Sequence, residues 1–112
     1  QIKKHEVLLR IIVPAEMAGA KFGMRKLKRI KGHDIAVVSV AMARTAKVMR
    51  IGVGSAAPTP VVTADLAAST TLEKAIAAAE KVICPIDDVR AGAEYRRFMV
   101  KEFVAQIYSE LF

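Results

Sequence analysis

The hydrophobic period changes once along this chain, and the change divides it into a strand half and a helix half. Up to the turn Pro58-Thr59-Pro60, apolar residues alternate with polar ones or run continuously. Beyond it, Leu72, Ala75, Ile76, Ala79, Val82 and Ile83 recur at helical spacing, as do Val100, Phe103, Val104, Ile107 and Leu111. Alternate residues of a strand share a face, whereas residues three and four apart share one side of a helix. Strands first and helices after give an α+β class: an antiparallel sheet of three to four strands followed by two to three helices packed on one face.

Within the strand half, Glu6 to Val13 is short, β-branched and stopped by Pro14, which predicts a strand. In Met24 to Ile30 basic and apolar residues alternate only imperfectly, a pattern compatible with a half-exposed strand. Ile35 to Ala43 is apolar or small on both sides and predicts a central strand covered on both faces. Lys47 to Gly54 returns with Met49, Ile51 and Val53 on one face, while Gly52 and Gly54 on the other leave room for close approach. The short link Arg44-Thr45-Ala46 makes these two an antiparallel hairpin. In the helix half, Thr70 with Glu73 forms a capping box that starts a helix near Thr70, and Pro85 ends it. The helices are expected near residues 71–83 and 93–111, and the whole, residues 1–112, suits a single domain with one core.

With 54% hydrophobic but 5% aromatic residues, that core is expected to be built from Ala, Val, Ile, Leu and Met. No apolar run approaches the roughly 20 residues a membrane helix needs, so no membrane partner is expected. The first residues show no cleavable signal pattern. A single cysteine excludes an internal disulfide and a multi-cysteine metal site, and a reducing, cytoplasmic setting is the expectation. The start at Gln1 rather than Met leads us to expect a chain excised from a longer one.

Charge is unevenly placed. Residues 1–50 carry 12 basic and 3 acidic side chains, a balance of +9, and residues 51–112 carry 6 and 8, a balance of −2. Six of the basic residues fall between Lys21 and Lys31, which points to an anionic partner or to a solvated basic strand. A small basic nucleic-acid-binding module is one reading of this cluster. It would call for stacking aromatics, yet the stretch offers only Phe22, and no helix-turn-helix or zinc spacing accompanies it.

Catalytic motifs fare no better. Gly52-Val53-Gly54 lacks the third glycine and the following helix of a dinucleotide fingerprint. Ser55 lacks the flanking glycines of a nucleophile elbow. Asp87 and Asp88 are adjacent and diverge on an extended backbone, a poor arrangement for an acid–base pair. His5 and His33 have no partner at ligand spacing, and Cys84 before Pro85 reads as a small buried residue. No catalytic residue and no metal ligand is assigned.

Four segments in fixed order carry a resemblance. They are KLKRIKGHDIAVVSVAM (Lys26–Met42), RIGVGSAAPTPV (Arg50–Val61), LEKAIAAAEKV (Leu72–Val82) and PIDDVRAGAEYRR (Pro85–Arg97). Together they resemble the C-terminal domain of the FAD-binding medium subunit of molybdenum hydroxylases, the carbon monoxide dehydrogenase flavoprotein and xanthine dehydrogenase type. The departure is Gly92, where many relatives carry Ser at the helix entrance; Gly still serves as an N-cap at a cost of a few tenths of a kcal/mol.

The resemblance implies a domain of an oxidoreductase subunit that relays electrons through FAD between iron–sulfur clusters and an external acceptor. It implies N-terminal FAD-binding domains of the same subunit as partners, together with an iron–sulfur small subunit and a molybdopterin large subunit. The glycine-rich loops that hold the FAD pyrophosphate in that family are absent from these 112 residues, so the fragment alone is expected neither to retain FAD nor to be active. It further implies that the segment before the central strand closes over the flavin, with Lys26 reaching the ring system and His33 and Asp34 at the turn beside it. The stretch Pro85–Arg97 then reads as structural wiring at a domain or subunit boundary. There Ile86 is expected to bury, Asp87 and Asp88 to accept hydrogen bonds, and Tyr95 to anchor the helix. Arg90, Arg96 and Arg97 suit pairing with carboxylates.

Overall fold

The link at residues 44–47 folds back through one hydroxyl. In the computed structural model, which describes residues 2–30 and 35–112, Thr45 Oγ1 accepts the backbone N–H groups of Lys47 at 3.2 Å and Val48 at 3.0 Å. The Thr45 N–H donates to the Val48 carbonyl at 2.8 Å. This closes the hairpin between β2 (Val38–Arg44) and β3 (Val48–Gly54), which pair antiparallel from Ser39↔Gly54 to Arg44↔Met49. Strand β1 (Lys21–Leu27) pairs antiparallel with β2, and β4 (Val61–Val62) and β5 (Leu66–Ala67) both pair with β3. The sheet order is β1-β2-β3-β4, with β5 off that path.

Helices α1 (Leu72–Val82) and α2 (Ala93–Leu111) cover one face of this sheet. That face carries Val38, Val40 and Met42 of β2 and Met49, Ile51 and Val53 of β3, all buried. They meet the stripe Val100, Phe103, Val104, Ile107 and Leu111 of α2, while the small buried Ala75 and Ala79 of α1 complete the core. Gly23 of β1 lies directly under α2. A Cβ there would fall 2.5 Å from Ile107 Cγ2, so the glycine permits the close approach of helix to strand.

The end of α2 is clamped to the sheet by Arg44. Its guanidinium lies 3.7 Å over the Phe112 ring, and it donates to the Leu111 carbonyl at 3.2 Å and the Ala68 carbonyl at 3.3 Å. Phe112 stacks on Tyr108, whose hydroxyl donates to the Thr70 carbonyl at 2.9 Å. One cation thereby satisfies a helix-terminal carbonyl and ties together three elements distant in sequence.

The α+β class with helices on one face is observed, and four local expectations are corrected. Residues 6–13 form no strand and pair with no strand among the described residues; Leu9 is 91% exposed. The strand expected from Ile35 begins at Val38 and is buried on one face only, because Ser39, Ala41 and Ala43 on the other face lie beneath no helix. The first helix begins at Leu72 with Thr71 as N-cap, one residue past the expected capping threonine. Cys84 and Ile86 are exposed, since the chain leaves α1 extended along the surface.

Candidate functional site

Lys26 belongs to the sheet face that the helices leave open. Register places it opposite Ser39, which in turn faces Gly54. Because neighbours on a strand alternate, Phe22 and Met24 share this face with Lys26, whereas Gly23, Arg25 and Leu27 turn to the helices. Phe22 is 64% and Met24 50% exposed, unusual for large apolar side chains on a regular strand. Beside them runs a floor of small residues: Ala41, Ala43, Gly52 and Gly54. Ser39 Oγ occupies the space where a Gly54 Cβ would sit, at 2.6 Å. At Gly52 a Cβ would meet nothing closer than 3.9 Å, so the fold itself leaves room there for a side chain.

The basic cluster does not form one patch. Arg25 turns to the helix side and pairs with Glu110 of α2. Arg29 donates to the Val89 carbonyl at 3.1 Å, linking the end of β1's loop to the segment before α2. Lys26 points from the opposite face. His33 and Asp34, expected beside Lys26, lie outside the described residues.

At the other end of the open face, Arg50 grips Asp65 with two hydrogen bonds of 2.5 and 3.0 Å. The hydrogen bond to Arg50 holds the Asp65 carboxyl below its usual range, and the same contact raises Arg50. These two residues line a cleft of about 560 Å³ together with Glu16, Gly19, Lys47 and Val48. The sequence gives little signal for this pair, whose members are 15 residues apart on different elements.

The segment before α2 is organised by Asp88. Its Oδ1 accepts the N–H of Arg90 at 2.8 Å, the N–H of Ala91 at 3.3 Å and the Arg96 Nη2 at 2.6 Å. Its Oδ2 accepts Arg90 Nε at 3.0 Å and Nη2 at 2.6 Å. The Arg90 contact above all, with the other donors, holds the Asp88 carboxyl far below the ordinary carboxylate range. Arg96 is 2% exposed, and its Nη1 donates to the carbonyls of Val37 at 2.9 Å and Ser55 at 2.5 Å. Ser55 has φ 63, a left-handed conformation that non-glycine residues seldom adopt, and Arg96 holds its carbonyl in place. The structure therefore brings together Asp88, Arg90 and Arg96, while Asp87 turns to the start of α2. Tyr95 and Arg97 lie exposed on the outer side of α2.

A carboxylate of the chain lies at each helix N-terminus. Asp87 Oδ1 accepts the Ala93 N–H at 2.6 Å. At α1, Glu73 is held below its usual range by hydrogen bonds from its own backbone N–H and from the Thr71 hydroxyl. At α2 a pyrophosphate would have to displace Asp87. Among the described residues there is no group of three His, Cys, Asp or Glu that could hold a metal ion, and no helix long and apolar enough to cross a membrane.

Set beside known proteins, residues 23–111 match the family described as the CO dehydrogenase flavoprotein C-terminal domain. Among solved structures, the chain is similar to the Cu,Mo-CO dehydrogenase in its cyanide-inactivated form, with 29% identity and a TM-score of 0.68 over 83% of this chain and 37% of that one. It is also similar to the carbon monoxide dehydrogenase from Hydrogenophaga pseudoflava that lacks the Mo-pyranopterin moiety of the molybdenum cofactor. There the identity is 28% and the TM-score 0.67, over 89% of this chain and 40% of that one. No curated protein matches. The chain thus spans about two-fifths of the solved chains it matches. On the family match and the shared architecture, the chain belongs to the CO dehydrogenase flavoprotein C-terminal domain family.

Proposed function

We propose that this chain is the flavin-closing domain of a FAD-containing subunit in a molybdenum hydroxylase complex, and that its open sheet face lies against the flavin. The observation that carries the reading is Lys26: an exposed cation on the uncovered face, beside Phe22 and Met24 and a flat floor of small residues. A planar ring system fits such a surface, and Gly52 leaves space for it to approach the backbone. The fit is partial. Lys26 and the neighbouring floor suit the ring, but each helix N-terminus already carries an acidic side chain that would repel a pyrophosphate, which the rest of the subunit would hold.

When bound, FAD supplies the one- and two-electron chemistry that couples iron–sulfur clusters to an external acceptor. Lys26 contributes a positive charge beside the ring, which favours its anionic, reduced form. The open face excludes water from one side of it. Substrate oxidation belongs to the molybdopterin subunit, and the setting we propose is cytoplasmic. Flavin fluorescence titration tests the division of labour. The 112-residue chain should purify colourless and bind FAD weakly, while the longer subunit containing it should carry FAD. Tight FAD binding by the 112 residues alone would contradict it, as would tight, salt-sensitive oligonucleotide binding.

A further inference from the structure

Three segments distant in sequence enclose a cavity of about 260 Å³. The turn after β3 supplies Ser55, Ala57 and Pro58, and the exit from α1 supplies Cys84 and Ile86. Arg90, from the loop before α2, and Arg96, from the first turns of α2, complete the lining. Hydrogen bonds hold the segments together. The Cys84 N–H donates to the Ala56 carbonyl at 2.9 Å, and Arg96 reaches the Ser55 carbonyl from the helix.

The polar groups of this lining are donors short of acceptors. Arg96 Nε is buried and hydrogen-bonded to nothing, although both Nη atoms are engaged. Arg90 commits Nε and Nη2 to Asp88, which leaves its Nη1 without a partner among the described residues. The Ser55 hydroxyl has none either. A guanidinium carries a fixed charge and no acceptor atom, so the two arginines cannot satisfy each other. Asp88 pairs with both of them, which leaves one positive charge uncompensated, and no acidic side chain lines the cavity. Buried donors are nearly always met by an acceptor.

We infer that this cavity binds the carboxylate of a small organic acid. The inference is independent of the flavin reading. The surplus charge and the spare donors select an anion with more than one acceptor oxygen, which a carboxylate supplies. The remaining walls, Ala57, Pro58 and Ile86, are apolar and suit a short alkyl chain rather than a fully hydrated inorganic anion. The volume lies below the roughly 300–1,000 Å³ of sites for drug-sized ligands, so the acid is a short one.

Cys84 makes the test local, because it is exposed and lines the same cavity. Iodoacetamide alkylates it: the sulfur displaces iodide, a sulfur–carbon bond forms and the thiol proton goes to buffer. Peptide mass spectrometry on the longer subunit containing this chain follows that one site. Propionate at about ten times its dissociation constant should slow the alkylation about tenfold, with half-protection on the order of 1–10 mM. Propionamide, which has the same shape without the charge, should not protect, nor should sodium chloride at matched ionic strength. Arg90→Gln should raise the propionate needed about tenfold. Ile86→Glu places a negative charge on an exposed wall residue, so it should abolish protection while leaving the melting temperature unchanged. Four results would each overturn the inference: no protection by propionate, equal protection by propionamide, stronger protection by inorganic phosphate, or undiminished protection in Ile86→Glu. A Cys84 that iodoacetamide fails to reach in the longer subunit would overturn it as well, since the cavity would then be covered by another part of that protein.

Discussion

Arg96 is the residue on which the most structure converges. It sits in a conspicuous Tyr95-Arg96-Arg97 run, yet only Arg96 is buried, and helical spacing explains which. Positions 96, 100, 103, 104, 107 and 111 form one stripe of α2, so Arg96 continues the apolar face at its N-terminal end. There it fastens α2 to the Val37 and Ser55 carbonyls and to Asp88. Arg96→Met should keep the packing volume but strand those acceptors, lowering stability by about 3 kcal/mol in urea titrations. Asp88 sets the pH dependence. Its folded-state pKa is depressed, so its contribution is complete above the unfolded carboxylate value near 4 and fades as pH falls below that. The melting temperatures of wild type and Asp88→Asn should therefore differ by a constant amount from pH 7 to 5 and converge below about pH 4. A gap that closed already between pH 7 and 5 would contradict the Asp88 network.

Among the elements, the ones legible in the sequence are those whose two faces differ. The β2–β3 hairpin was readable because Met49, Ile51 and Val53 alternate with small or polar residues, and α1 and α2 because their stripes recur at helical intervals. Residues 6–13 carry an equally good strand pattern, but a pattern of side chains says nothing about which edge will pair with it. Cys84 and Ile86 follow the same logic: apolar character alone did not reveal that the chain stays on the surface after α1. Lys26 could be placed on a strand from alternation, whereas the openness of its face depended on both helices choosing the other side. The close approach of α2 to Gly23 was likewise invisible. Gly23→Ala would drive a methyl group into Ile107, and a loss of about 1–3 kcal/mol is expected. Combining it with Ile107→Ala should cost less than the two single losses added, because the second change removes the clash. Strict additivity in thermal and urea unfolding would show that α2 shifts away instead.

At the scale of the whole molecule, the two faces of one sheet divide the labour. The helix-covered face holds the fold together, through the aliphatic core and the Arg44 clamp. The open face and the segment before Pro14 expose apolar surface that no described residue covers. That asymmetry is what a domain built to close over something held elsewhere requires, and Lys26 is the charge it would bring to the closure. Folding should be little affected by Lys26→Met, since the side chain is exposed and outside the core. The central measurement is a spectroelectrochemical titration of the flavin in the full subunit carrying Lys26→Met, with Lys4→Met as control. If Lys26 stands at the ring, its loss destabilises the anionic reduced form. The midpoint potential should then fall by about 20–40 mV, an interaction of about 1–2 kcal/mol weakened by solvent, while the control keeps the wild-type value. Equal potentials in wild type and both variants would contradict the placement of this face against the flavin.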